Sequence, residues 1–216
     1  KIKVSTITRL VYSKSGNSVR IYIDDQYAFS LSPNEVVRQK IDKGQIISPS
    51  KLKQLKQSGD YEKNYLKALN LISYRPRSAQ EIKQYLHRNS VSPTVISQII
   101  STLKKQNYLN DSDFALAYAK TKVKLKNYGP YRLQSELSAK GVSNSLISQT
   151  IDTLFSDQDT LVSQARLALN KKTKAFHSLP AFESKRKATQ YLYRLGYDLD
   201  TINRAISSID ENPLKR

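Results

Sequence analysis

"VSPTVISQIISTL" (91–103) and "VSNSLISQTIDTL" (142–154) are one pattern written twice, 51 residues apart. Val, Ser, Ile, Ser, Gln, Ile, Thr and Leu recur in register without a gap. Working outward, Leu86 falls on Leu137. A further displacement of 55 places Leu137 on Leu192, Gly141 on Gly196, Ile147 on Ile202 and Ile151 on Ile206. Self-similarity of this length, three times over, marks stacked supersecondary units whose apolar faces are buried by their neighbours.

Each unit reads as three helices. In the first they span about 61–73, 78–88 and 92–106; in the second about 111–126, 130–140 and 143–155; in the third about 157–175, 184–195 and 198–210. In the second unit's first helix, Phe114, Ala117, Tyr118, Thr121 and Leu125 share one face. Short links force neighbouring helices back onto each other. Tyr65, Tyr85, Tyr108 and Tyr118 are expected at repeat core or core edge with satisfied hydroxyls, rather than as a base-stacking platform.

The first 31 residues differ. "ITRLVY" (7–12) and "SVRIYIDD" (18–25) are rich in β-branched and aromatic residues, "SKSGNS" between them supplies turn chemistry, and "YAFSL" (27–31) follows a second turn. A short helix over about 33–41 is expected after Ser32, and another over about 49–58, ending near Gly59. The fold expected is therefore mostly α: three tandem three-helix repeats forming an elongated curved array, preceded by a small β-ribbon with short helices. The boundaries expected are 1–60, 61–108, 109–156 and 157–216.

Composition narrows the function classes. Thirty-six Lys and Arg stand against 18 Asp and Glu, a formal +18, which points to a polyanionic partner. The chain has no Cys, so it has neither a disulfide framework nor a thiolate zinc site, as suits a reducing cytosol. It shows no apolar run of membrane-spanning length and no signal-type opening segment, so a cytoplasmic protein is expected.

Where the cations sit is more informative than their number. The middle helix of each repeat starts among them. Arg75 and Arg77 precede a Ser78–Glu81 capping box; Arg132 follows Gly129–Pro130; Lys185, Arg186 and Lys187 follow Ser184, the position that the repeat aligns with Ser78. Cations at a helix start oppose its dipole by about 0.3–1 kcal/mol each. Backbone N–H groups, the dipole and Arg or Lys side chains together attract phosphate or carboxylate, so the three starts are candidate anion-binding points. "KTKVKLK" (120–126) adds Lys120 and Lys124 on one flank of a helix and Lys122 and Lys126 on the other. "NKKTK" (170–174) adds Lys171, Lys172 and Lys174, at a helix end where cations favour the dipole.

Catalytic chemistry finds little support. His87 and His177 stand in no metal-ligand spacing, and neither a P-loop nor a G-x-S-x-G elbow occurs. Paired aspartates such as Asp111 and Asp113 could hold a magnesium ion in a nuclease, but at a helix start their expected work is capping. No cofactor and no metal are expected. A plain DNA-binding protein is the rival class, since three-helix units resemble helix-turn-helix folds. Against it, the third helices offer mostly Ser, Thr and Gln where base readers carry Arg, Lys or Asn.

The segments "ALNLISYRPRSAQEIKQYL", "YLNDSDFALAYAKTKVKLKNYGPYRLQSEL" and "KGVSNSLISQTI" resemble the RecX family of recombination regulators, most strongly over 62–155. A monomer is expected, and the resemblance implies a non-enzymatic modulator of the RecA recombinase. Such a modulator binds the RecA–DNA filament in its groove, inhibits strand exchange and ATP hydrolysis or promotes filament loss, and binds single- or double-stranded DNA.

Overall fold

The computed structural model describes residues 5–172 and 180–210, with side chains described to residue 207. Among the described residues there are four strands and ten helices, gathered in two compact units: residues 5–77 with 82–109, and 78–81 with 110–172 and 180–210.

The first unit opens with an antiparallel sheet in the order β3-β2-β1-β4, from β1 (Ser5–Tyr12), β2 (Val19–Ile23), β3 (Gln26–Leu31) and β4 (Ile46–Ile47). Val19, Ile21 and Ile23 alternate along β2 and are buried, so one sheet face is core. Ile7, Phe29, Leu31, Val36, Ile41, Ile47 and Leu55 complete that core. The two-residue strand β4 is too short to carry a period and is absent from the sequence reading. Helix α1 (Pro33–Arg38) is capped by Ser32, whose Oγ accepts from the Glu35 N–H at 3.2 Å.

One expected element is corrected. The short helix over 49–58 and the repeat helix over 61–73 are a single 26-residue helix, α2 (Pro49–Tyr74), with no break at Gly59. Gly59 is buried against the sheet, where a Cβ would lie 2.4 Å from the Ser30 carbonyl oxygen. Its missing side chain lets helix and strand approach; it does not end the helix. α2 continues to α4 (Pro93–Lys105), where the Tyr61 hydroxyl donates to Thr102 Oγ1 at 2.9 Å. Ala68 of α2, Ile82 and Leu86 of α3 (Ala79–Arg88) and Ile96, Ile99 and Leu103 of α4 are buried.

The second unit holds two helical triplets. α5 (Asp111–Lys126), α6 (Pro130–Ala139) and α7 (Asn144–Leu154) enclose Phe114, Ala115, Leu137, Val142 and Ile147. α8 (Gln158–Asn170), α9 (Ala181–Leu195) and α10 (Leu199–Asp210) enclose Leu161, Val162, Ala165, Leu169, Leu192, Tyr197, Ile202 and Ile206. Repeat-equivalent residues therefore do equivalent work: Leu86, Leu137 and Leu192 are each fully buried. The turn after each middle helix also recurs. Ser90, Gly141 and Gly196 take positive φ of 58°, 74° and 91°. The next residue's N–H returns to the buried leucine, in the bonds Val91 to Leu86, Val142 to Leu137 and Tyr197 to Leu192 at 3.1–3.2 Å.

Three further expectations change. The buried face of α5 runs through Phe114, Ala115, Tyr118 and Ala119, while Ala117, Thr121 and Leu125 are exposed. Phe114 and Tyr118 belong to both faces; the buried one is completed by the small Ala115 and Ala119 rather than by Leu125. Tyr108 is exposed, not core. α9 begins at Ala181 with Pro180 as its N-cap, so Ser184 is inside the helix and Lys185, Arg186 and Lys187 stand one turn further in than expected. Among the described residues no helix is long and apolar enough to cross a membrane.

Candidate nucleic-acid interface

Two of the three helix starts are occupied by the protein's own acceptors. At α3, Ser78 Oγ accepts from the Glu81 N–H at 3.1 Å and donates to the Lys140 carbonyl at 2.7 Å. The Glu81 carboxylate accepts from the Ser78 N–H at 3.3 Å, and Asp111 Oδ1 accepts from the Ala79 N–H at 2.8 Å. At α6, the Gly129 N–H donates to the Leu195 carbonyl at 2.7 Å and the Tyr131 N–H to the Gly196 carbonyl at 3.1 Å, so the end of α9 caps the start of α6. At these two starts carboxylate and carbonyl oxygens already fill backbone donors that were expected to await an external anion, whereas Pro180 at the start of α9 supplies no side-chain cap. What the sequence placed there for a ligand is left to the side chains.

Some of those side chains converge. Glu136 of α6 holds Arg132, with Nη2 to Oε1 at 3.3 Å, and Lys122 of α5, with Nζ to Oε2 at 3.7 Å; the Tyr118 hydroxyl donates to the same Oε2 at 2.5 Å. Lys122 lies over the rings of Tyr118 and Tyr128, Arg132 over Tyr128, and Lys140 over Tyr118 while pairing with Glu81 at 3.1 Å. This cluster joins α5 to α6 and to the first turn of α3. Lys140, Tyr128 and Glu136 were absent from the candidate residues; Glu136 stands four residues after Arg132, the spacing of a helical ion pair, and was the signal available.

Burial alone would raise the Glu136 carboxyl. The Tyr118 hydroxyl, Lys122 and Arg132 outweigh burial and hold it below the usual glutamate range. Burial, then the Glu136 acceptor, pushes the Tyr118 hydroxyl above the usual tyrosine range. A depressed folded value means that the carboxylate's stabilisation is complete above the ordinary glutamate range and is lost as pH falls through the folded value. Thermal melts of Glu136→Gln and the parent should differ most at neutral pH, and the gap should close on acidification to about pH 3. A gap constant across that range would exclude the charge as its cause.

The other candidates divide by exposure. Lys171 Nζ donates to Asn127 Oδ1 at 3.0 Å, at the left-handed residue ending α5, so it straps two helices. Lys120, Lys124, Lys126, Lys172, Lys185, Arg186 and Lys187 are exposed and form no ion pair among the described residues. Arg75 is exposed and donates to the Pro76 carbonyl at 2.9 Å; Arg77 is half-buried, its Nε without a partner. Lys174 and His177 lie outside the described residues. Asp113 accepts from the Asn110 side chain at 2.8 Å, and with Asp111 it supports helix starts. No group of three metal-ligating side chains occurs among the described residues. The third helices α4 and α7 expose mostly Ser, Thr and Gln, with Asn144 at the start of α7 and Lys104 and Lys105 at the end of α4.

Comparison with known proteins follows the same divisions. The family models described as RecX first, second and third three-helix domain match residues 65–103, 110–151 and 159–206. The regulatory protein RecX of Bacillus licheniformis is 33% identical over 207 residues, covering 94% of this chain and 77% of that protein. Its namesake in Bacillus subtilis is 32% identical over 198 residues, 91% and 74% of the two. A crystal structure of regulatory protein RecX shares the fold at a TM-score of 0.75, with 19% identity, over 94% of this chain and 99% of that one. RecX from Lactobacillus salivarius matches 70% of this chain and 97% of its own at a TM-score of 0.63 and 25% identity. The triple repeat that the two thirteen-residue segments announced is thus the family's own three-domain pattern, and the chain belongs to the RecX family of regulatory proteins.

Proposed function

We propose that this chain regulates homologous recombination without catalysing a reaction. It binds the RecA–DNA filament, lies in its helical groove, and inhibits strand exchange and ATP hydrolysis or promotes filament loss. The observation that carries this reading is the set of exposed cations Lys120, Lys124, Lys126, Lys185, Arg186 and Lys187, which no carboxylate neutralises among the described residues of a RecX-family chain. Exposed Arg and Lys side chains release counterions on meeting phosphates, and meet acidic protein patches by the same attraction. Occupying the groove needs no chemistry: it excludes incoming duplex and hinders the subunit motions that accompany ATP turnover.

The test is a salt titration of binding to bare single-stranded DNA and to RecA-coated DNA. Tighter binding to the coated form is expected across the range. Equal or weaker binding to it, with a preference among duplex sequences, would replace this reading with direct DNA binding.

A further inference from the structure

The outer face of the N-terminal sheet carries a row of side chains that no role so far uses. We infer that this face is a binding platform for single-stranded nucleic acid, an inference that rests on the DNA-directed reading above and adds a second contact to it.

Two irregularities build the row. On β1 the register slips between Ile7 and Arg9, leaving Thr8 as the extra residue; on β3 it slips where Ile21 opposes Phe29 and Tyr22 opposes Tyr27, leaving Ala28 extra. Simple alternation from Ile7 would send Arg9 to the core, and alternation from Phe29 would send Tyr27 there. Each bulge turns one of them outward beside Tyr22. Bulges interrupt a ladder and recur where a side chain must be re-aimed.

The result is Arg9–Tyr22–Tyr27 in one line across three strands, about 10 Å at ordinary strand spacing. The Arg9 guanidinium lies 4.1 Å over the Tyr22 ring. Tyr22 and Tyr27 meet edge to face with centroids 6.0 Å apart, and Tyr27 is 58% exposed. An arginine plane seated on a tyrosine offers its opposite face to a base, and Tyr27 offers a ring. Arg20 also faces outward, opposite Val11 and Ser30. Neither Arg9 nor Arg20 has a carboxylate partner among the described residues. Asp24 and Asp25 lie in the β2–β3 turn at one end, and Asp24 Oδ1 accepts from the Thr6 N–H at 3.0 Å. Lys14 lies in the turn at the other end, which carries no acid, and the backbone phosphates approach there. Stacking surfaces interleaved with unpaired arginines suit unpaired bases and phosphates, whereas a duplex presents neither base face.

The test measures binding of fluorescein-labelled oligo-dT by anisotropy for the full chain. Tyr27→Ala and Arg9→Ala should each weaken it by about tenfold, and Tyr27→Phe should bind as the parent does. In the parent, ultraviolet cross-linking of an oligonucleotide carrying 5-iodouracil should map to Tyr22 or Tyr27, a readout that needs no variant to fold. Unchanged affinity in both alanine variants, an equal loss in Tyr27→Phe, or cross-links confined to other residues would overturn the inference. So would unchanged oligo-dT affinity with weakened binding to recombinase-coated DNA, which would assign the face to a protein. Inhibition of the recombinase by the parent is read separately, so either reading can fail alone.

Discussion

Gly196→Ala should destabilise the protein by about 2–4 kcal/mol, lowering the thermal midpoint by on the order of 10 °C. Two costs add. Gly196 ends α9 at φ +91°, where an L-residue is strained. A Cβ there would also lie 2.2 Å from the Arg132 backbone nitrogen and 2.6 Å from its Cβ, atoms of α6 that cannot swing away. The seal between the end of α9 and the start of α6 would open, releasing the Gly129 and Tyr131 N–H bonds. The control is Gly16→Ala, at φ +71° in the turn between β1 and β2, where nothing lies within 4 Å of the added Cβ, so about 1 kcal/mol is expected from the backbone conformation alone. Equal losses in the two variants, measured by circular dichroism melts, would mean that the close approach of α6 and α9 contributes nothing.

The second large effect concerns binding. Reversing Lys185, Arg186 and Lys187 together to Glu should lower affinity for filament or bare DNA about a hundredfold at physiological salt. The slope of log affinity against log salt should flatten by roughly 2–3, near 0.7–0.9 for each lost phosphate contact. These three are the informative choice because they are exposed and unpaired among the described residues, so their reversal leaves packing alone. Arg132 is a poorer one: its reversal would set a second carboxylate against Glu136 and confound binding with stability. An unchanged slope would make the run a solvated surface.

The core was legible because the repeat repeats it. Leu86, Leu137 and Leu192, and Ile147 with Ile202, were matched by displacement alone and are all buried. Helix starts were legible to within a residue: expected at about 92, 111 and 143, they lie at Pro93, Asp111 and Asn144, although at α5 the cap is Asn110 rather than Asp111 or Asp113. Features decided by distant neighbours were not. Gly59 reads as a stop until the Ser30 carbonyl is seen beside it, and Gly129 reads as an open helix start until Gly196 is seen capping it. The two bulges escape a period-two reading because they break the period, so Arg9 and Tyr27 were not singled out. The candidate cations were found by charge and separate only by partner. Arg132 and Lys122 share Glu136, Lys171 holds Asn127, and the run at 185–187 remains in solvent.

We propose that this RecX-family chain acts on the RecA filament through contact alone. ATP hydrolysis by RecA on single-stranded DNA, followed while the purified protein is added, tests it most directly. Hydrolysis should fall with added protein and reach a plateau, and the variant reversed at Lys185, Arg186 and Lys187 should require far more protein for the same fall. Hydrolysis that stays constant at every ratio of the two proteins would exclude that mode of action.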